Sequence, residues 1–454
     1  MVRLPLSLCY AAERAPCGIA AVLTSQLDAG SAIADASEAI KIEPTFIKSY
    51  FRRGTAKLMV GQGQLKPLKE ARADFKAACQ IEPNNKDARA KLSECEKAIK
   101  AKQFELAIAS DETPVKEPDP SDIEVESSYS GPRLDPVDGK VTPEFVHELQ
   151  DYQKNEKRLH KKYALQILLK VRDILKAEPP VVDVTVPEGK HVTVCGDVHG
   201  QYYDLCNIFD MNGKPSETNP YLFNGDFVDR GSFSVEVILL LFAYKCLYPK
   251  HLHLNRGNHE TINMNKMYGF EGEVNAKYAK DFMRLFTDIF QWLPLAHVIG
   301  TKVLVLHGGL FSKEETCLDD LRKISRHQEP PDEGPMTEML WSDPGPNKGL
   351  MPSKRGVGVS FGEDVTNKFL QANGLDLLIR SHECKDEGYE VDHGGKTITV
   401  FSAPNYCDQM GNKGAFIHLD ETLKPKFTTF AAVPHPSVRP MQYAGMFGAG
   451  LFGM

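Results

Sequence analysis

The sequence predicts an α/β protein with an all-α segment on its N-terminal side. Three observations predict it. A short helical pattern repeats before residue 108, six short apolar runs recur beyond residue 190, and longer amphipathic stretches separate several of those runs. A chain of 454 residues has room for two or three domains. Apolar residues make up 42% and charged ones 25%, the balance of an ordinary globular protein.

Residues 1–30 carry no readable repeat. Met1–Ala12 has a faint likeness to a secretory leader, but Pro5 and Ser7 break its apolar stretch, and Glu13 and Arg14 follow. Ala39-Ile-Lys-Ile-Glu-Pro44 then recurs as Ala78-Cys-Gln-Ile-Glu-Pro83, 39 residues on, and each proline ends one helix before the next begins. A tetratricopeptide repeat has a period of about 34 residues, and a short insertion around Gly61–Pro67 accounts for the difference. Residues 31–108 are expected to form an incomplete tetratricopeptide repeat domain, an ordinary pair of helical hairpins being the alternative. From 109 to 137 five prolines lie among acids and serines, which reads as a solvated acidic linker.

Residues 138–434 carry the α/β pattern, and 435–454 form a tail. A helical lead-in spans Phe145–Ala177, and Ser234–Leu247 and Asn275–Gln291 read as further helices. The strands are His191–Cys195, Tyr221–Phe223, His251–Leu254, Val303–Leu306, Leu377–Ile379 and Thr397–Phe401. The residues just past each strand point to the chemistry. In order they are Gly196-Asp-Val-His-Gly200, Gly225-Asp-Phe-Val-Asp-Arg-Gly231, Arg256-Gly-Asn-His-Glu260, His307-Gly-Gly309, Arg380-Ser-His382 and Ser402-Ala-Pro-Asn-Tyr406. All six offer groups suited to metals or phosphate, and ligands in open sheets collect beyond the carboxyl ends of strands. Asp197 and His199 alternate by two, so an extended chain turns both to one side.

Charge and composition exclude other classes. The net charge of −7 argues against a nucleic-acid binder, which carries a basic domain or stripe. The longest apolar run, Val237–Tyr244, is far shorter than the ~20 residues of a bilayer span, so no membrane-spanning segment is expected. Ten scattered cysteines without a C-x-x-C pair suit a reducing compartment, and the expected location is the cytoplasm and nucleus.

The segments Gly196-Asp-Val-His-Gly200, Gly225-Asp-Phe-Val-Asp-Arg-Gly231 and Gly257-Asn-His-Glu260 resemble the signatures of the phosphoprotein phosphatase family of metal-dependent serine/threonine phosphatases, without departure. The resemblance covers roughly residues 160–434. It implies a metallophosphoesterase-type β-sandwich flanked by helices, with two divalent ions (manganese, iron or zinc, manganese above all in vitro). By the same resemblance Asp197 and His199 hold the first ion, Asp226 bridges both, and Asn258, His307 and His382 hold the second. The chemistry suits these residue types. Phosphate monoesters hydrolyse extremely slowly unaided, two ions can generate hydroxide at neutral pH, and carboxylate and imidazole ligands suit such metals. Cys195, Cys384 and Cys407 match no ligand position.

The family's general acid falls on His259, with Asp229 behind its other nitrogen; the alternative is a His259 that only orients its neighbours. Arg230 and Arg355 match the phosphate-binding arginines, Asn258 also faces substrate, and Tyr406 flanks the site. Arg256 and Arg380 are expected to be structural, and His327 and Trp341 to shape a groove. No C-x5-R loop for cysteine-based dephosphorylation is present. A decayed scaffold is disfavoured because no ligand is missing. Arg230, Arg355 and the repeats favour phosphoprotein substrates over those of a nuclease or nucleotide hydrolase.

In family members with such repeats, the repeat groove clamps the acidic C-terminus of the ninety-kilodalton heat-shock chaperone. Lys48 and Arg52, four apart on one helix, match two clamp positions, or else form a solvated basic face. The tail from Pro434 resembles the family segment that holds the repeats over the site, which implies autoinhibition. A monomer is expected.

Overall fold

The computed structural model describes residues 29–60, 65–111, 118–186, 188–439 and 441–444. They form two compact bodies, one of the residues up to Ala107 together with Lys354–Gly356 and the other of the rest. Expectations for residues 1–28, for 61–64 of the insertion and for 445–454 of the tail lie outside the described residues.

The first body contains α1 (Ala29–Ile42), α2 (Ile47–Val60), α3 (Leu65–Ile81) and most of α4 (Lys86–Asp111). The two Ile-Glu-Pro segments make the same turn. Glu43 N–H donates to Ala39 O and Phe46 N–H to Glu43 O, just as Glu82 donates to Ala78 O and Asn85 to Glu82 O. Phe75 of α3 is the buried centre, edge-on to Phe51 of α2 at 5.6 Å. Gly54 lies against the Phe75 ring, where a Cβ would come within 3.0 Å, so glycine is what lets α2 and α3 approach. Beside it Arg53 grips buried Asp74 with two bonds of 2.6 and 3.0 Å.

The second body opens with residues 118–137, expected as solvated linker. They are not solvated throughout. Leu134 is buried, and Tyr129 packs on Tyr152, His160 and Tyr163 because its ring is large enough to close the side of the helices behind it. Those helices are α5 (Pro143–Lys154) and α6 (Lys161–Ala177), so the lead-in is broken once. The break comes where Asn155 ends α5 and His160 Nδ1 accepts from Lys162 N–H to start α6.

Among the described residues there are fourteen strands: β1 (Val181–Val184), β2 (His191–Cys195), β3 (Tyr221–Phe223), β4 (Leu252–Leu254), β5 (Ala296–Ile299), β6 (Val303–Leu306), β7 (Asp343–Pro344), β8 (Leu350–Pro352), β9 (Val359–Phe361), β10 (Leu377–Arg380), β11 (Tyr389–Asp392), β12 (Thr397–Val400), β13 (Gly414–Asp420) and β14 (Pro425–Phe430). Between them lie α7 (Tyr202–Asn212), α8 (Ser234–Leu247), α9 (Ile262–Tyr268), α10 (Phe270–Lys277), α11 (Lys280–Trp292), α12 (Leu318–Leu321), α13 (Pro335–Trp341) and α14 (Glu363–Ala372). The helix expected over Asn275–Gln291 is cut at Tyr278, whose hydroxyl donates to Leu159 O at 2.8 Å and whose ring stacks on Phe282. That burial outweighs continuous helix.

Six strands form one sheet in the order β1-β5-β6-β10-β12-β11 and five form another, β14-β13-β2-β3-β4. Side chains on one strand alternate between layers. Val192 and Val194 of β2, Leu222 of β3, Val303 and Val305 of β6, and Leu377 and Ile379 of β10 share one core between the sheets. Their neighbours Tyr221 and Phe223 join a core with α6, α8 and α11, while Leu304, Leu306 and Leu378 join one with α13 and α14. The result is a β-sandwich with helices on both outer faces. Because β2, β3 and β4 run parallel, as do β6, β10 and β12, six carboxyl ends open on a single edge.

Candidate metal centre

At that edge the chain turns sharply. Backbone φ is positive at His199 (41°), Asp226 (51°), Asp229 (71°), Arg230 (70°) and His382 (73°), a conformation that residues other than glycine rarely adopt. Two glycine positions explain how the loops come so close. Gly225 has φ +87°, and a Cβ there would stand 2.6 Å from Gly257 Cα. A Cβ on Gly257 would collide with the Asp226 carboxylate, so the two loops lie back to back.

Two groups of buried donors, counted among the described residues, meet there: His199, Asp226 and His259, and Asp226, His307 and His382, the donor atoms of each within 4.8 Å of one another. Asp226 belongs to both. Asp197 joins them, its Oδ2 3.7 Å from His199 Nε2 and its Oδ1 accepting from His382 N–H at 3.2 Å. Asn258 joins through Oδ1, 2.9 Å from His307 Nε2.

The protonation pattern tests whether cations fit. His199 Nδ1 donates to Val228 O at 2.9 Å, and burial pushes its pKa down to about 3, so the neutral ring turns an unshared pair at Nε2 toward carboxylates. Asp226 Oδ2 lies 3.4 Å from that atom. His307 Nδ1 likewise donates to Asn224 O at 2.8 Å, which leaves Nε2 facing Asn258 Oδ1, Asp226 Oδ2 at 3.4 Å and His382 Nδ1 at 3.2 Å. Acceptors facing acceptors need a positive charge between them. With no ion bound, a proton on His307 Nε2 supplies that charge: burial opposes it, yet Asp226 and Asp197 outweigh burial and raise the imidazole to about 9. Burial also drives Asp197 up to about 7, while Asp226 stays low because His307 and His259 face it. Metal bonds of ~2.0–2.2 Å put neighbouring donors ~3 Å apart, so the donor set suits divalent cations.

Behind the donors, Asp229 is fully buried and its carboxylate accepts from His259 Nδ1 (2.8 Å), Phe270 N (2.9 Å) and Asn265 Nδ2 (3.1 Å). Arg230 lies with its guanidinium 3.7 Å above the Tyr268 ring centre. Tyr406 packs on His199, ring centres 5.1 Å apart. Arg355 is half-buried on the turn between β8 and β9, flanked by exposed Lys354 and Gly356 and grouped with the first body, and its part in phosphate binding rests on the family resemblance. In the first body Lys48 and Arg52 are both exposed on α2, and Arg53 and Lys57 pair with Asp74.

The structure adds residues that the motifs alone did not single out. Glu260 accepts from the backbone N–H groups of Asp226, Phe227 and Gly257, all at 2.8 Å, and so ties two loops together. Its place as the last letter of Gly-Asn-His-Glu was the available signal. Tyr268 had none, since an isolated tyrosine on a helix reads as core. Arg256 and Arg380 are wholly buried and pair with Glu329 and with Asp343 and Glu383, as structural arginines do. His327 stacks on Trp292 at 4.0 Å, and Trp341 stands edge-on to His382 at 5.6 Å. Cys195, Cys384 and Cys407 belong to neither donor group; burial pushes the latter two thiols up to about 12 and about 11.

Residues 190–386 match the calcineurin-like phosphoesterase family, and residues 92–183 match the PPP5 TPR repeat region. Serine/threonine-protein phosphatase 5 of Homo sapiens is 55% identical over 419 residues, covering 91% of this chain and 83% of that protein. Serine/threonine-protein phosphatase T of Trypanosoma brucei brucei is 53% identical over 424 residues, 92% of this chain and 88% of that one. A solved Saccharomyces cerevisiae protein serine/threonine phosphatase, described as similar to human phosphatase PP5, superposes with a TM-score of 0.64 at 42% identity, over 66% of this chain and all of that chain. With this identity over nine-tenths of its length, and with both a phosphoesterase and a tetratricopeptide repeat region in its sequence, the chain belongs to the serine/threonine-protein phosphatase 5 family.

Proposed function

We propose that the chain hydrolyses phosphoserine and phosphothreonine in proteins without a phosphoenzyme, at two divalent ions. Asp197, His199 and Asp226 hold one ion, and Asp226, Asn258, His307 and His382 hold the other. Bound there, such ions supply Lewis acidity that lowers the pKa of water and offsets the charge of a phosphate dianion. The chain's own groups do the rest. Arg230 and Arg355 grip phosphate oxygens with guanidinium forks, beside Asn258 and Tyr406. His259, oriented by Asp229, delivers a proton to the departing serine or threonine oxygen. The observation that carries this reading is Asp226, one buried carboxylate common to two donor groups. Manganese is the ion we expect in vitro.

The test is phosphopeptide hydrolysis with and without chelator, set against bis-nitrophenyl phosphate as a diester control. Asp197→Asn is expected to remove most turnover while the fold persists. Normal rates in chelator, or a preference for the diester, would defeat the assignment.

The regulatory reading divides the chain into a repeat domain (31–108), a connecting segment (109–137), a catalytic domain (138–434) and a regulatory tail (435–454). Lys48 and Arg52 would receive the acidic C-terminus of the ninety-kilodalton heat-shock chaperone, supported by their exposure on one helix. Repeats and tail would restrain the enzyme until such a ligand competes. An acidic chaperone-tail peptide should then raise the activity of the full chain, and Lys48→Glu with Arg52→Glu should abolish the rise. A monomer in cytoplasm and nucleus completes the reading; the eight described cysteines, all free, support a reducing compartment.

A further inference from the structure

Beneath the second donor group a buried polar chain ties one sheet to the other. Asn224 follows β3 and Asn255 follows β4 in the five-stranded sheet; Ser381 follows β10 and His297 lies in β5 of the six-stranded one. All four are fully buried. Asn255 Nδ2 donates to Asn224 Oδ1 at 2.7 Å and to Val305 O at 3.1 Å. Asn224 Nδ2 donates to Leu306 O at 2.8 Å and to Ser381 Oγ at 2.9 Å. His297 Nδ1 donates to Asn255 Oδ1 at 2.7 Å, and the Asn224 carbonyl accepts from His307 Nδ1. Both carboxamides thus use their amide hydrogens and their oxygen. Leucine would fill either place without desolvating an amide, so packing alone does not account for them. Their position does. Asn224 stands two residues before Asp226, Asn255 three before Asn258, Leu306 one before His307 and Ser381 one before His382.

We propose that Asn224 and Asn255 are positioning residues for the second ion. The amide chain sets the spacing of the sheets at their carboxyl ends. It thereby holds Asp226 and Asn258 from one sheet, and His307 and His382 from the other, around one point. A satisfied buried network is rigid in a way that sliding aliphatic contacts are not. The inference rests on the two-ion reading given above.

The experiment titrates manganese(II) into the metal-free full chain by calorimetry, counts retained manganese by elemental analysis, and records melting of the metal-free protein. Wild type should take up two ions. Asn255→Leu and Asn224→Leu should bind the second ion about 10- to 100-fold more weakly, the usual effect of losing an outer support of a ligand, and the first ion, which shares only Asp226 with that group, much less so. Activity should recover at high manganese; metal-free melting should fall, because each leucine strands buried partners, so a loss of affinity concentrated on one ion is what separates positioning from general destabilisation. Ser381→Ala should shift the same ion in the same direction by less. Wild-type affinity for both ions in the folded leucine variants overturns the proposal, as it does in Ser381→Ala should the leucine variants fail to fold. A wild-type chain that takes up fewer than two ions sinks the two-ion reading itself, and the inference with it.

Discussion

His259 and Asp229 form a sealed pair: Nδ1 of the imidazole donates to Oδ2 of the carboxylate over 2.8 Å, and Asp229 has no exposed surface. Burial pushes the Asp229 carboxyl up, while the Phe270 N–H, the Asn265 amide and Arg230 work the other way. In Asp229→Asn the amide can present hydrogens to Nδ1 and favour the wrong tautomer. Turnover of phosphoserine peptides should fall about 10²- to 10⁴-fold with little change in KM. On p-nitrophenyl phosphate, whose leaving group needs no proton, the loss should shrink. Equal losses on both substrates would contradict a general acid.

The Arg230 guanidinium stacks on the Tyr268 ring, and the Arg230 backbone N–H donates to the Tyr268 backbone carbonyl at 3.1 Å, so the ring lies where it can aim the guanidinium. Such a stack contributes about 1 kcal/mol, or ~5-fold in KM. Tyr268→Leu should raise KM by that factor, and Tyr268→Phe should leave it unchanged. An equal effect of both substitutions would move the cause from the ring face to the hydroxyl.

Arg380 is enclosed by Gly308 O (2.7 Å), Asp343 (2.8 Å) and Glu383 (2.9 Å). Arg380→Met strands buried Asp343 and should cost about 3–5 kcal/mol in urea unfolding. Arg322, paired with largely exposed Asp183, supplies the contrast, since Arg322→Met should cost only about 0–1 kcal/mol. Similar losses in both would show that burial is not what decides.

At the start of the tail, His435 Nε2 lies 3.0 Å from Asp408 Oδ1 and its Nδ1 2.9 Å from Pro436 O. Burial disfavours the charged ring, but the Pro436 carbonyl and Asp408 prevail and raise its pKa. A raised value means that folding favours the imidazolium. The stabilisation is complete below about pH 6.5, the unfolded value, and fades as pH climbs through the folded one. His435→Gln should therefore lower Tm more at pH 5.5 than at pH 8.5. A pH-independent difference would rule out the charge as its source.

Much of this was legible locally. The runs Tyr221–Phe223 and Val303–Leu306 are strands to the residue, because their alternating faces are apolar on both sides and nothing else suits such short segments. The repeated Ile-Glu-Pro turns form alike because proline stops a helix wherever it stands. Strands β13 and β14 were not anticipated: Gly414–Asp420 carries one apolar pattern among many, and only its pairing with β2 and β14 makes it a strand. The helix over Asn275–Gln291 failed at Tyr278 for the converse reason, a distant carbonyl at Leu159 claiming its hydroxyl.

By itself the sequence determined which side chains could serve a metal and phosphate site, and that each would stand at the end of a strand, because turn glycines and two-residue alternation act over a few neighbours. Only the tertiary structure decided that Asp226 would be shared between two donor groups, that Tyr268 would lie under Arg230, and that Asn224 would meet Asn255 between the sheets. Those contacts join residues 27 or more positions apart, or fall on types that local pattern assigns to the core. They exist because two sheets close on a common core and bring their carboxyl ends to one edge.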